Sequence, residues 1–392
     1  MRILMITAGS RGDVQPYAAL AVALRAAGHE PVLAAATRSG EVFAGLGFRF
    51  AELDEGPLAL TESAATESKL ALYRKAMGMM GRMFDDAWAV AADGADLVVH
   101  HPGALVGAHI AERLGVPAVI GALTPLYVPT QAFPLPLLPP WTPPAFNRAS
   151  YRLVNAIGLP FRKLVTRWRA ERLGLPPGKG RQDAVLHAIS EHVVPRPADW
   201  PATAHTTGYW FLESPEEIEL PEITGTTVYI GFGSMLGADP ARTTATVLEA
   251  VRLAGVHAVL ARGWGGLAST DLPKNVTMID QVPHERLFPL VDAVVHHGGA
   301  GTSAAAVAAG RPQVLCPFIA DQPYWGRRMH ELGVAPPPLP ERALDAGELA
   351  ASIKEALSRA EEAARLGALV RAENGAGKAV HELEQLCRSS GR

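Results

Sequence analysis

The same short signature occurs twice along this chain, and it limits the fold more than any other feature. Ile6-Thr7-Ala8-Gly9-Ser10 closes an apolar strand in the first half, and Ile230-Gly231-Phe232-Gly233-Ser234 closes one in the second. A helical pattern comes after each Gly-Ser turn. In the first half, strands are expected at Ile3–Ala8, Val32–Ala36, Phe48–Leu53, Leu97–His100 and Pro117–Gly121. Helices are expected between them at Val14–Ala27, Arg38–Leu46, Glu62–Ala92 and Ala104–Leu114. The second half restarts the alternation, with expected strands near Thr227–Gly231, His257–Ala261, Val276–Ile279, Ala293–His296 and Gln313–Cys316. A helix at Ala241–Leu253 and a last helix ending near Leu386 complete that pattern. Alternation of this kind requires parallel sheets with helices on both faces. Two such domains facing each other put both Gly-Ser turns at strand C-terminal ends, where open α/β sheets bind ligands. The expected fold class is α/β, with two facing Rossmann-like doubly wound domains and a site in the cleft between them.

Two stretches depart from this texture. Thr124–Pro144 is rich in proline and apolar side chains, including Leu126, Phe133, Leu137 and Trp141, and reads as a loop able to line an apolar pocket. Residues 148–181 are strongly basic, with Glu171 their one acid. Such a segment suits either a solvated helix face or an anionic membrane surface. Residues 195–223, dense in proline and glutamate, read as an interdomain linker.

Composition narrows the function. The 392 residues suffice for two domains, 48% of them are hydrophobic, and a net charge of −3 gives no pull toward nucleic acid. The two cysteines, Cys316 and Cys387, form no disulfide framework or zinc pattern and fit a reducing, cytoplasmic setting. No apolar run reaches the length of a membrane span.

His296-His297-Gly298-Gly299-Ala300-Gly301-Thr302 succeeds an apolar strand and opens a small-residue helix. A strand, a Gly-rich turn and a helix start aim free backbone N–H groups at one point, which favours phosphate. Further on, Asp321-Gln322-Pro323 sets a carboxylate beside an amide, a pair suited to sugar hydroxyls or to capping a helix. A diphosphate cradle with a hydroxyl reader suggests a nucleotide-sugar site. Gly231-Phe232-Gly233-Ser234 has a dinucleotide-like look, but the next strand ends in Ala261-Arg262 without the acid that a nicotinamide cofactor's ribose needs. In Gly9-Ser10-Arg11-Gly12-Asp13, the aspartate serves either as a base in the cleft or as a cap of the first helix. Gln281-Val282-Pro283-His284 is a turn whose backbone could meet the edge of a base.

These residues resemble the GT-B nucleotide-sugar glycosyltransferases, in particular the UDP-glycosyltransferase superfamily (glycosyltransferase family 1) and its bacterial natural-product and sterol glucosyltransferase-like branch. Gly9–Pro16 is similar to that branch's N-terminal motif. Val193–Trp200 and Gly208–Trp210 are similar to its linker-proximal segment, and Gly231–Ser234, His296–Thr302 and Asp321–Gly326 to its donor-site motifs. The resemblance implies domains at 1–210 for the acceptor and 211–374 for the nucleotide sugar, with 375–392 a helix crossing back to the first. It implies metal-independent, inverting transfer with Asp13 as the catalytic base. Ser10, Arg11, Gly12, Ser234, Val282, His297, Gly298, Gly299, Ala300, Gly301, Thr302, Asp321 and Gln322 are implied as donor contacts. Many members place a histidine where Asp13 stands, and plant members place a tryptophan at Gln281.

The expected activity is transfer of glucose from UDP-glucose to a hydroxyl of an apolar natural product or sterol, with no cofactor beyond the NDP-sugar cosubstrate. Leu126, Phe133, Leu137, Trp141 and Trp325 are the expected acceptor contacts. The partners are the acceptor and the donor, with no nucleic acid and with room for a peripheral membrane contact. A nucleotide-sugar epimerase and a non-catalytic helper of the same fold are the alternatives.

Overall fold

The computed structural model describes residues 1–36, 40–43, 45–55, 68–139, 141–213, 223–233, 240–262, 272–280, 282–340 and 344–389. The first domain runs β1 (Arg2–Ile6), α1 (Arg11–Ala26), β2 (Glu30–Ala36), α2 (Gly40–Phe43), β3 (Arg49–Leu53), α3 (Lys69–Ala91), β4 (Leu97–His100), α4 (Gly107–Leu114) and β5 (Ala118–Ala122). It continues through α5 (Asn147–Ser150), α6 (Arg152–Ile157), α7 (Arg162–Leu173), β6 (Ala184–His187) and β7 (Ala204–Thr206). The second domain runs β8 (Thr227–Gly231), α8 (Pro240–Ala254), β9 (His257–Ala261), β10 (Val276–Ile279), α9 (His284–Leu287), β11 (Ala293–His296), α10 (Ala300–Ala308), β12 (Gln313–Leu315) and α11 (Gln322–Glu331). Three helices close the chain: α12 (Ala346–Leu357), α13 (Ala360–Arg371) and α14 (Gly375–Ser389).

Both sheets are parallel. The first has the order β3-β2-β1-β4-β5-β6-β7 and the second β10-β9-β8-β11-β12. In each, the chain order reverses beside the domain's first strand, between β1 and β4 and between β8 and β11. Ligand crevices open at such switch points, beyond the strand C-termini. Registers that pair Ile6 with His100 and His296 with Gly231 bring the two Gly-Ser turns level with two histidine pairs.

Period-two alternation sorts the strand side chains. Ile3 and Met5 pack on α1 and α14, while Leu4 and Ile6 pack on α3 and α4. The last helix sets Ala379, Val380, Leu383 and Cys387 into the same core as Leu20 and Leu24 of α1, so it lies on the first domain. Polar ties hold it there: His29 meets Glu384 at 3.0 Å, and His205 meets Glu382 at 2.9 Å. Between the domains, Ile189, Val193 and Tyr209 share an apolar cluster with Ala304, Val307 and Trp325. The segment similar to the family's linker-proximal motif is thus an apolar seam joining the two halves.

Four expectations need correction. Helix α1 starts at Arg11, not Val14, because Ser10 takes the extended N-cap conformation and Asp13 becomes a first-turn residue. Only Gly40–Phe43 of the Arg38–Leu46 expectation is helical among the described residues. Helix α3 starts at Lys69 behind Ser68, whose hydroxyl accepts from Ala71 N, and the earlier part of the Glu62–Ala92 expectation lies outside the described residues. The stretch read as a linker holds strand β7, and β6 precedes it; both are three or four residues long, too short to show a period. Among the described residues no helix is long and apolar enough to cross a membrane.

Candidate active site

The site begins with the turn after β1. Gly9 has φ +144°, a conformation that favours glycine, and a Cβ there would fall 2.2 Å from the Asp13 carboxylate. That space lets Asp13 fold back over the turn. Its Oδ2 accepts from Ser10 N at 2.7 Å and from Ser10 Oγ at 2.9 Å. The capping role is therefore real, and Ser10's hydroxyl is committed to Asp13. Oδ1 remains for other work and lies 3.9 Å from His101 Nε2. Asp13's side chain is 35% exposed and that of His101 16%, so the carboxylate is the more accessible of the two.

His101 is a site residue that the sequence alone does not single out. It comes directly after β4, and its Nδ1 accepts from Gly103 N at 3.2 Å. A neutral imidazole that accepts at Nδ1 carries its proton at Nε2, the atom facing Asp13. Burial lowers its pKa while the Asp13 charge opposes that shift. Tyr17 presents its edge to this ring at 6.2 Å and donates to Gly121 O at 2.7 Å. Tyr127 is a second such residue. Its pKa is pushed up to about 12 by burial, then by the charges of Asp13 from the first domain and Asp321 from the second. The sequence does hold a clue to His101: His100-His101 ends a strand just as His296-His297 does.

The second wall is the turn after β11. Gly298 has φ +87°, and Gly299 is the N-cap of α10. The first-turn N–H groups of Ala300, Gly301 and Thr302 are those a helix start leaves without an intrahelical acceptor. His296 is fully buried and braces the turn: its Nδ1 accepts from Gly298 N at 3.0 Å and its Nε2 meets Gln313 Oε1 at 2.8 Å. Burial, and then His297, lower its pKa to about 3, so it stays neutral.

His297 lies over the glycines. A Cβ at Gly299 would fall 2.5 Å from its Nε2, and one at Gly233 3.2 Å from its Cε1. Among the described residues its buried Nδ1 has no hydrogen-bond partner, and burial lowers its pKa to about 4. An unsatisfied ring nitrogen beside free helix N–H groups fits an anion that would complete both. Ser234 lies outside the described residues, as does Gln281.

Asp321 and Gln322 open α11. Ala320, before them, holds φ +57° without being glycine, a strained backbone that aims the pair. Asp321 Oδ2 accepts from Trp325 Nε1 at 2.9 Å, and burial, opposed by that bond, raises its pKa. The Asp13 charge, from the other domain, adds a smaller part to the rise. Gln322 Oε1 accepts from Phe318 N and Ile319 N at 2.8 and 3.0 Å, which leaves its amide NH2 as the group for a ligand. Burial lowers the pKa of His284 in α9 to about 4 and raises that of its neighbour Glu285, and the Arg11 charge adds to the first shift and opposes the second. Gly12 is exposed in the first turn of α1, and α1 packs against α10. Val282 packs its side chain with Tyr229 and Leu287, so only its backbone could serve a base.

The expected acceptor contacts do not gather. Trp325 is fully buried and anchors Asp321, so it has no surface for an acceptor. Trp141 is 80% exposed on the outer surface. Phe133 packs on Tyr324 of the second domain with ring centroids 6.0 Å apart, at the interdomain seam. Leu126 and Leu137 are half-buried in the loop.

Comparison with known proteins gives the family and the fold. Residues 3–131 match the glycosyltransferase family 28 N-terminal domain, and residues 258–387 match the erythromycin biosynthesis protein CIII-like C-terminal domain. A sterol 3-beta-glucosyltransferase of Neosartorya fischeri is 34% identical over 98% of this chain and 29% of its own length. One from Arabidopsis thaliana is 33% identical over 87% of this chain and 58% of its own. The chain therefore spans less than a third of the fungal relative. Among solved structures, the glycotransferase of kitacinnamycin superposes with a TM-score of 0.78 at 19% identity, covering 98% of this chain and 99% of its own. The glycosyltransferase SnogD from Streptomyces nogalater gives 0.70 at 24% identity, with 98% and 99% covered. At these identities the two structures show a shared fold.

Proposed function

The chain belongs to the GT-B UDP-glycosyltransferase superfamily, and from that premise we propose that it transfers a sugar from a nucleoside diphosphate sugar to a hydroxyl of an apolar acceptor. The donor on this reading is UDP-glucose and the acceptor a sterol or sterol-like natural product, in line with the relatives' names. The acceptor domain is residues 1–210, the donor domain 211–374, and 375–392 the return helix. The observation that carries the reading is the facing of two unlike walls. One bears a carboxylate with a spare oxygen, Asp13. The other bears a helix start with an unsatisfied histidine, His297.

The chemistry rests on that division. The acceptor oxygen attacks the anomeric carbon from the Asp13 side, and its proton passes to Asp13 Oδ1. The bond from that carbon to the diphosphate oxygen breaks, and its electron pair leaves with the nucleotide. The charge develops at the α10 N-terminus, where the Ala300–Thr302 N–H groups and His297 receive it. Attack and departure on opposite faces invert the anomeric centre. Ser234 is part of the same cradle on this reading. Asp321 and the Gln322 NH2 hold sugar hydroxyls, the Val282 backbone meets the base, and Ser10, Arg11 and Gly12 close the donor from the first domain. His101 holds its Nε2–H toward Asp13 and stabilises the carboxylate until it takes the proton. No metal takes part.

Calorimetric titration with UDP and dTDP, with chelator in excess, is the direct test. Chelator-insensitive binding of one nucleotide is expected. Turnover of UDP-glucose with a sterol then yields a glycoside whose anomeric configuration NMR reads. Absence of binding by either nucleotide overturns the reading.

A further inference from the structure

The helical pair α5–α6 buries two polar side chains beside Tyr151: Asn147 Nδ2 donates to Gln131 O at 2.9 Å, and Ser150 Oγ accepts from Leu135 N at 2.8 Å. Its outward face is apolar. Phe146, Ala149, Leu153 and Ala156 recur at helical spacing and are all exposed, Phe146 at 60% and Leu153 at 49%. Leu159, in the next turn, is 58% exposed and extends the stripe. Tyr73 of α3 touches that turn, its hydroxyl donating to Pro160 O at 3.4 Å. Exposed large apolar side chains grouped in one stripe, rather than scattered singly, mark an interaction surface.

The rim of the stripe is cationic. Arg152, Arg162 and Lys163 are exposed, and no aspartate or glutamate occurs between residues 140 and 170. The α3 segment alongside adds Arg74 and Lys75, while Arg82 further along it is paired with Asp54 at 2.7 Å. An apolar stripe with a basic rim matches the boundary between the acyl chains and anionic headgroups of a bilayer. A protein partner would need an acidic rim of its own; a lipid surface supplies one everywhere.

We infer that the α5–α6 face, with the α7 start beside it, docks the protein on an anionic lipid surface. The loop from Tyr127 to Trp141 joins this face to the Asp13 cleft, so the docked face lies at the end of the loop that would carry an apolar acceptor. That last clause rests on the proposed function; the docking does not, and its test needs no turnover.

Co-sedimentation with vesicles of phosphatidylcholine alone, and with a third of phosphatidylglycerol added, reads the docking directly. The expected result is sedimentation with the mixed vesicles that declines steeply between 50 mM and 500 mM salt. R162Q/K163Q lowers the partition coefficient by about 25-fold, at about fivefold for each basic residue near the surface. F146S/L153S lowers it at least tenfold, with the melting temperature and UDP binding of the wild type kept in both variants. No sedimentation with the mixed vesicles at 50 mM salt overturns the inference, as does equal sedimentation with both vesicle types. A dimer in solution that F146S/L153S splits, without vesicle binding, assigns the face to a second copy and also overturns it.

Discussion

Strands β4 and β11 hold the same place in their sheets, each beside the first strand of its domain, and each runs into two histidines. The first histidine is buried and bonded to a glutamine in both, but only His296 takes the N–H of the turn that follows, at Gly298. His100 Nε2 meets the Gln182 side chain and His296 Nε2 that of Gln313, and burial holds both neutral. The second histidine differs. His297 leads into two glycines and a nine-residue helix, and its Nδ1 is unsatisfied. His101 leads into Pro102 and a short turn, its Nδ1 is satisfied by Gly103, and its Nε2 faces a carboxylate. On the proposed function, one scaffold thus ends in a place for an anion and in a place for a proton. The segment after the strand decides between them: a helix start exposes donors, whereas a closed turn uses them up.

The largest effect tests the proton side. Asp13→Asn keeps the capping geometry, because an amide oxygen can still accept from Ser10, but it removes the proposed base. A fall in kcat of about 10²–10⁴-fold is expected, with the Kd for UDP within twofold of wild type. Near-wild-type turnover would show that the proton leaves by another route. His101→Asn is expected to lower kcat by about tenfold, again without moving nucleotide affinity, since it touches only the Asp13 wall.

The anion side should respond in the opposite sense. His297→Ala is expected to weaken UDP about 10–100-fold, the range for a hydrogen bond to a charged group. Gly299→Ala should do the same indirectly, because the new Cβ would fall 2.5 Å from His297 Nε2 and push the ring aside. Burial holds the free His297 pKa at about 4, and a diphosphate alongside raises it. UDP affinity therefore rises as the pH is lowered from 7 toward 5, and calorimetry in buffers of different ionisation enthalpy detects proton uptake. If either variant leaves UDP affinity intact, the cradle is elsewhere and the contrast between the two strand ends fails.

Much of this is legible in the residues alone. The doubled Gly-Ser signature points to two doubly wound domains, and His296–Thr302 to the cradle, because a strand, glycines and a small-residue helix leave little conformational choice. Contacts between distant segments are not legible in that way. Asp13 and His101 belong to different strand ends, and only the β1–β4 pairing brings them together. Trp325, just after a proline, reads as an acceptor contact, yet it is wholly buried, because its indole N–H has Asp321 to bond to. Strands β6 and β7 are too short to show a period, and from composition alone the outward-facing stripe of α5–α6 looks like an ordinary basic helix.

The subtlest test concerns the first histidine of each pair. His100 titrates at about 4 and His296 at about 3, against an ordinary value of 6.5, chiefly through burial. A depressed pKa means that the unfolded chain binds the proton first. The stability each histidine contributes is full above pH 6.5 and declines as the pH falls toward 4, at up to ~1.4 kcal/mol per pH unit for each. Urea unfolding at pH 7, 6, 5 and 4.5 should show that slope, and His100→Gln and His296→Gln should each flatten it by one proton. The two then part company in function. Protonation at His296 takes away the acceptor of the Gly298 N–H and loosens the cradle, whereas protonation at His100 leaves Gly298 untouched. His296→Gln is therefore expected to lower UDP affinity several-fold at pH 7, where His100→Gln leaves it unchanged. Equal effects from both would mean that the histidines are stability elements alone, and that the cradle holds its shape without the brace beneath it.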